Sequence, residues 1–116
     1  MPCLVVDDNR PFAENLAEII QDLGLPATIA TSGREALGAL AASRFRLLLC
    51  DFRMPEMDGA EFIRLARIVQ PGLPAILITA FANDAEVARA VGHGEVTVLP
   101  KPVPMDALKR AVTGTR

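Results

Sequence analysis

The 116-residue sequence has no apolar run close to the length that crosses a membrane. A transmembrane helix needs about 20 consecutive apolar residues, and a secretory signal begins with a basic segment followed by an apolar one. The sequence shows neither pattern, although 51% of its residues are hydrophobic. We therefore expect a soluble protein that stays in the cytoplasm and does not insert into a membrane.

Cysteine and histidine are scarce, with two cysteines and one histidine. Cys3 and Cys50 lie within apolar, strand-like segments, where a thiol is more often a buried small hydrophobe than part of a disulfide or a metal site. His93 stands between two glycines, which predicts an exposed turn. Zinc is therefore not expected, and the unpaired thiols agree with the reducing cytoplasm.

The chain also lacks an excess of positive charge, since its formal net charge is −2 at pH 7. Proteins that bind nucleic acid cluster lysine and arginine against the phosphates, whereas most basic residues here are scattered. We therefore expect no direct binding to nucleic acid. No repeat, low-complexity tract or linker is visible, so residues 1–116 are predicted to form a single domain.

Strand-like and helix-like segments alternate along the chain. Apolar runs bounded by turn residues predict five strands, at about residues 3–6, 27–30, 46–50, 75–78 and 96–99. Apolar residues at helical spacing predict five helices, at about residues 10–23, 36–41, 60–69, 83–91 and 104–112. This alternation favours an α/β fold, with a five-stranded parallel sheet covered by helices on both faces.

Four of the apolar runs end beside residues that can bind metal or phosphate. Asp7 and Asp8 follow the first run, Asp51 the third and Thr79 the fourth, and Lys101 comes just after the fifth. Doubly wound sheets place their ligand site at the carboxyl ends of the strands. The strand order 2-1-3-4-5 sets strands one, three and four side by side, so it brings the acids and Thr79 together. We therefore predict that order and one shared site.

The residues at this predicted site suit phosphoryl chemistry. Three carboxylates facing one lysine leave about two uncompensated negative charges, which either raise a pKa or recruit a cation. Oxygen ligands without histidine or cysteine favour Mg²⁺. A carboxylate beside Mg²⁺ and an ammonium can attack a phosphoryl group to form an acyl phosphate. Asp51 is the predicted nucleophile, and Lys101 and Thr79 would bind the phosphoryl oxygens.

Taken singly, each of these residues has a simpler explanation. Asp8 and Asn9 precede a predicted helix and could only cap it. Asp51 could be a solvated loop residue, Thr79 a turn hydroxyl and Lys101 an exposed side chain. The prediction of a site therefore depends on their conjunction.

Four segments, VVDDNR, DFRMPEMDG, ITA and LPKP, resemble the receiver domain of two-component response regulators in order, spacing and strand context. The resemblance covers essentially the whole chain and implies a flavodoxin-like (βα)5 doubly wound fold. It implies that Asp51 accepts a phosphoryl group from the phosphohistidine of a sensor histidine kinase or a histidine phosphotransfer protein. Asp8, Asp51 and the main-chain carbonyl of Arg53 would hold Mg²⁺, and Asp7 would assist through water.

Other positions of the resemblance concern the phosphoryl group and the loops. Thr79 and Lys101 match the family's phosphate-binding hydroxyl and lysine, and the bond from Lys101 to Pro102 is expected to be cis. The loop after Asp51 matches as well, and there Asp58 is expected to cap the next helix.

Two positions depart from the family pattern. Val98 stands where the family usually carries an aromatic residue whose ring turns inward when the site is phosphorylated. We therefore hypothesise that Phe81 and the short helix after it form the responsive surface. Pro100, directly before Lys101, removes a backbone donor, which a strand at the edge of a sheet tolerates.

The leading interpretation is a signalling switch that assists its own phosphorylation and hydrolysis, and is not an enzyme acting on an external substrate. It would control a downstream protein or an attached output domain, as a stand-alone receiver or as a piece of a longer protein. One alternative is a pseudo-receiver that binds partners without phosphotransfer. Another is a Mg²⁺-dependent phosphohydrolase with an aspartyl nucleophile, although its usual D-x-D motif and cap insertion are missing from the sequence.

Overall fold

A computed structural model describes residues 1–80, Val87 and residues 96–114. The five strands are β1 Cys3–Val6, β2 Ala27–Ala30, β3 Leu47–Asp51, β4 Ala75–Thr79 and β5 Val96–Pro100. The described helices are α1 Arg10–Asp22, α2 Gly33–Ala42, α3 Gly59–Val69 and α4 Met105–Thr113. The predicted strands and these four helices are confirmed. Predictions for Phe81, His93 and the helix at 83–91 lie outside the described residues, apart from Val87, which is helical and buried.

The strands form one parallel sheet in the order β2-β1-β3-β4-β5, as predicted. Val6 on β1 pairs with Cys50 on β3, so Asp7, directly after β1, lies at the same level as Asp51, the last residue of β3. Asp51 pairs with Ile78 on β4. The register therefore carries the functional candidates of three strands to one edge of the sheet.

Two apolar clusters cover the two faces of the sheet. Every residue of β1, β3 and β4 is buried, whereas β2 and β5, the two outer strands of the sheet, have one buried residue each. Cys3 packs in one cluster and Cys50 in the other, and both are free thiols, as the sequence indicated. Within the described part of the chain, no helix combines the length and apolarity needed to span a bilayer.

Two helix caps lie close to the carboxyl edge of the sheet. Asn9 caps α1, and its side chain accepts a hydrogen bond from the backbone N–H of Phe12 at 3.2 Å. Asp58 caps α3 in the same way and accepts from the N–H of Glu61 at 2.8 Å. Such caps satisfy N–H groups that a helix leaves without partners. The capping role expected of Asp58 is therefore confirmed.

Gly59 lets α3 press against the end of β3. A Cβ at this position would lie 2.5 Å from the carbonyl oxygen of Asp51 and 2.6 Å from Cδ1 of Leu77. The N–H of Gly59 also donates to the carbonyl of Phe52 at 2.7 Å. Since backbone atoms cannot yield as a flexible side chain can, only glycine fits without displacing the strand end that carries Asp51.

Candidate functional site

Three carboxylates meet at the carboxyl ends of β1 and β3. Asp7 and Asp8 directly follow β1, and Asp51 is the last residue of β3. Their ligand oxygens lie within 4.8 Å of one another. Asp7 and Asp51 are only 2% and 8% exposed, whereas Asp8 is open to solvent. The structure thus brings together the acids that lie far apart in the sequence.

Lys101 reaches into this acidic cluster from the loop after β5. Its Nζ lies 3.2 Å from Oδ1 of Asp51 and 3.4 Å from Oδ2 of Asp7. The ring of Phe12 flanks the same ammonium, with its centroid 4.5 Å from Nζ. The peptide bond from Lys101 to Pro102 is cis, as the resemblance implied. One ammonium therefore bridges two buried carboxylates.

Thr79 and Arg53 border the cluster. Thr79 is the last residue of β4, is 1% exposed, and pairs with Pro100 on β5. Its carbonyl accepts a hydrogen bond from the N–H of Lys101 at 3.0 Å. Arg53 has an exposed side chain, and its backbone N–H donates to the Asp51 carboxylate. Both residues thus lie at the edge of the sheet where the acids converge.

The electrostatics of the cluster disfavour the charged carboxylates. Burial raises the pKa of Asp51 above its ordinary value, and the negative charge of Asp8 adds to the effect, while Lys101 and the N–H of Arg53 oppose it. Burial likewise raises the pKa of Asp7. Buried carboxylates of this kind stabilise a nearby cation. The arrangement is therefore suited to a metal ion and an incoming phosphoryl group.

A sequence profile of the response regulator receiver domain matches residues 3–113. This chain belongs to the response regulator receiver domain family. A response regulator receiver protein of Anaeromyxobacter sp. strain Fw109-5 is 50% identical to this receiver domain over 100 residues, which are 86% of this chain and 42% of that protein. The transcriptional regulatory protein ZraR of Escherichia coli K12 is 33% identical over 106 residues, 91% of this chain and 24% of that protein.

Solved receiver structures have the same fold. A response regulator receiver protein from Pseudomonas putida superposes with a TM-score of 0.88 and is 32% identical, covering 97% of this chain and 96% of that chain. The predicted flavodoxin-like receiver fold is therefore confirmed. The chain spans less than half the length of the two curated relatives. Membership of this family makes the chain the receiver domain of a response regulator, a regulatory part of two-component signalling.

In this receiver domain the loop after Asp51 is held by a tight turn. Glu56 has a φ of 74°, in the left-handed region, and the N–H of Met57 donates to the carbonyl of Pro55 at 2.9 Å. A three-residue turn of this hand is strained for a residue other than glycine. Met57 then packs against α2, where a Cβ on Gly33 would lie 2.7 Å from its sulfur. The loop is therefore anchored to the first turn of α2.

Two contacts at the site could not be read from the sequence pattern. Phe12 fitted the apolar face of α1, yet its ring also lies against the Lys101 ammonium. Asn9 fitted a cap, yet its own N–H also donates to Oδ1 of Asp7 at 2.9 Å. Both residues lie close to Asp7 in the sequence, but the lysine that Phe12 contacts is supplied by the distant end of the chain.

Proposed function

We propose that this receiver domain takes a phosphoryl group onto Asp51 in a Mg²⁺-dependent reaction. The donor would be the phosphohistidine of a sensor histidine kinase or of a histidine phosphotransfer protein. The observation that carries the proposal is the position of the Asp51 carboxylate, which is nearly buried, 3.2 Å from the Lys101 ammonium and within 4.8 Å of two further carboxylates. An acyl phosphate forms most readily where a carboxylate has both an ammonium and a divalent cation beside it.

The donor set of the site fits Mg²⁺. All three carboxylates offer oxygen, and hard oxygen ligands with room for water are what Mg²⁺ prefers. Asp8, Asp51 and the main-chain carbonyl of Arg53 would hold the ion, and Asp7 would assist through water. When bound, Mg²⁺ supplies the positive charge that lets an anionic carboxylate approach an anionic phosphoryl group.

The reaction itself is a transfer between two nucleophiles. A carboxylate oxygen of Asp51 forms a bond to phosphorus as the phosphorus–nitrogen bond of phosphohistidine breaks, and the bonding electron pair stays on the imidazole nitrogen. Lys101 would exchange its contact with Asp51 for a phosphoryl oxygen, and the Thr79 hydroxyl would donate to another. Hydrolysis returns the protein to its unphosphorylated state, because water attacks phosphorus, the Asp51 carboxylate leaves, and inorganic phosphate is released. The cycle consumes no external substrate beyond the phosphodonor, so we infer a switch and not an enzyme.

The consequence of phosphorylation would be a change of conformation that controls a partner protein or an attached output domain. The relative ZraR is named a transcriptional regulatory protein and is much longer than this chain. Its length supports, for such relatives, a receiver joined to further domains. We also propose that residues 1–116 form one receiver domain, which the match over residues 3–113 supports.

Mass spectrometry after incubation with Mg²⁺ and acetyl phosphate tests the proposal. The wild-type protein should gain the mass of one phosphoryl group, and Asp51→Asn should gain none. Asp58→Asn is the matched control, because Asp58 is exposed in the same loop and asparagine caps a helix about as well as aspartate. This control should be labelled like the wild type.

The alternatives give different results in the same experiment. A pseudo-receiver would not be labelled at all. A phosphohydrolase would release phosphate with steady turnover and would not stop at one labile group per molecule. Labelling that survives Asp51→Asn would show that another residue is the acceptor, and would refute the assignment of Asp51.

A further inference from the structure

Among the described residues, the Lys101 ammonium touches three groups. Two are the carboxylates of Asp7 and Asp51, at 3.4 Å and 3.2 Å, and the third is the face of the Phe12 ring, whose centroid is 4.5 Å away. A cation within about 6 Å of an aromatic centroid is attracted by the negative face of the ring. Phe12 is only partly buried, so the ring is a wall of the site as well as a part of the apolar core.

The contact with the ring closes a cycle of interactions around the site. Asn9 donates its N–H to Oδ1 of Asp7 at 2.9 Å, and its side chain accepts the N–H of Phe12 at 3.2 Å. The Phe12 ring contacts the Lys101 ammonium, and that ammonium donates a hydrogen bond to Oδ2 of Asp7. The cap of α1 therefore fixes the backbone of Phe12 relative to Asp7. As a result, the ring has a defined position against the ammonium.

The side chain of Lys101 is flexible, so a contact that fixes its ammonium is useful at this position. Its ammonium is a point charge on a flexible four-carbon stem, and the prolines on either side of Lys101 restrict the backbone but not that stem. During transfer the ammonium has to leave Oδ1 of Asp51 for a phosphoryl oxygen. An aromatic face attracts the charge without offering an acceptor atom, so it does not compete for that hydrogen bond.

We propose that Phe12 is a positioning residue that holds the Lys101 ammonium over the site for phosphoryl transfer. This inference rests on the proposed transfer to Asp51. Phe12 acts through Lys101 and does not touch the phosphoryl group.

Nuclear magnetic resonance tests the contact without any phosphate or metal. The chain has only two lysines, Lys101 and Lys109, so lysine labelled with carbon-13 gives two ε-methylene signals, and the exposed Lys109 serves as the internal reference. The ring current of Phe12 should move the ε protons of Lys101 upfield of those of Lys109. The displacement should disappear in Phe12→Leu and remain in Phe12→Tyr. Equal shifts for the two lysines in the wild type would overturn the proposal.

Phosphorylation kinetics with acetyl phosphate and saturating Mg²⁺ test the consequence. Phe12→Leu should lower the maximal labelling rate by roughly 2- to 30-fold, the range that a cation–π contact corresponds to. The half-saturating donor concentration should stay the same, because the ring does not touch the donor. Phe12→Tyr should restore the rate. A small phosphodonor is used so that loss of a kinase contact cannot produce the effect.

Ile19→Ala is the matched control for packing. Ile19 lies two turns along the same face of α1, is partly buried against the same apolar cluster, and is far from Lys101 in that helix. The Ile19→Ala variant should be labelled at the wild-type rate. An equal loss in Ile19→Ala, or no rescue by Phe12→Tyr, would show that only packing matters and would refute the inference.

The outcomes also separate this inference from the proposed function. If the wild type gains no phosphoryl group, the proposed function fails and the positioning role fails with it. If the wild type is labelled and Phe12→Leu keeps the full maximal rate, the positioning role alone fails.

Discussion

Neutralising Asp51 should make the receiver domain more stable at neutral pH while abolishing its proposed activity. The perturbation is Asp51→Asn, which keeps the shape of the side chain and removes its charge. Burial raises the pKa of Asp51, so the folded state disfavours the carboxylate relative to the unfolded chain. A functional site that costs stability in this way is common, because its groups are arranged for chemistry and not for folding.

The magnitude follows from the charges around Asp51. One oxygen from each neighbouring carboxylate lies no more than 4.8 Å from one of Asp51, so at an effective dielectric constant of about 20 each repels Asp51 by at least about 3.5 kcal/mol. The Lys101 ammonium at 3.2 Å attracts it by about 5 kcal/mol on the same scale. Solvent screens the repulsion from the exposed Asp8, so the charge–charge contributions nearly cancel. The sign of the change in stability therefore depends on the cost of burying the Asp51 charge, which Asp51→Asn removes. We expect the free energy of unfolding to rise by about 1–2 kcal/mol.

The gain should depend on pH in a defined direction. Because the pKa of Asp51 is higher in the folded state, its charge destabilises the protein fully only above that folded pKa. The destabilisation fades as the pH falls through the folded pKa and is gone below the unfolded value of about 3.9. The advantage of Asp51→Asn should therefore be largest at neutral pH and shrink on acidification.

Urea unfolding without metal measures this difference. The sequence has no tryptophan or tyrosine, so far-ultraviolet circular dichroism is a better signal than fluorescence. Asp58→Asn controls for removing an exposed carboxylate from the same loop. If the Asp51→Asn variant is no more stable than the wild type at neutral pH, or if the difference does not shrink on acidification, the reasoning is refuted.

Three further predictions concern the metal, the close approach of α3 and the amino edge of the sheet. Mg²⁺ at ten times its dissociation constant should stabilise the wild type by about 1.4 kcal/mol in thermal unfolding. The Asp8→Asn variant should lose most of this stabilisation, and equal stabilisation of both proteins would exclude Asp8 as a ligand. Gly59→Ala should destabilise the protein by about 1–3 kcal/mol in urea, because the new methyl group meets the backbone of Asp51, and an unchanged midpoint would contradict this. Gln70→Ala should lower the free energy of unfolding by about 1–3 kcal/mol, because the Gln70 side chain accepts a hydrogen bond from the N–H of Phe45 and donates to two carbonyls. Labelling by acetyl phosphate should be unchanged, and reduced labelling would count against a purely structural role.

The local patterns were sufficient for the strands, the four described helices and the strand order. A buried parallel strand is a continuous apolar run, and this signal located all five strands. The order 2-1-3-4-5 then followed from the rule that ligand residues gather at the carboxyl ends of adjacent strands. The cap at Asp58 was expected from the resemblance, and the structure confirms it; capping depends only on residues within one turn.

The sequence by itself therefore determined which residues could meet, since apolar periodicity fixes the strands and strand order fixes their neighbours. Only the tertiary structure decided how they meet. The Lys101 ammonium forms ion pairs with Asp7 and Asp51 and lies against the ring of Phe12. These contacts join parts of the chain that are distant in sequence, since Lys101 and Asp7 are 94 residues apart. Contacts of that kind depend on side-chain rotamers and helix docking, which packing sets and no local period encodes.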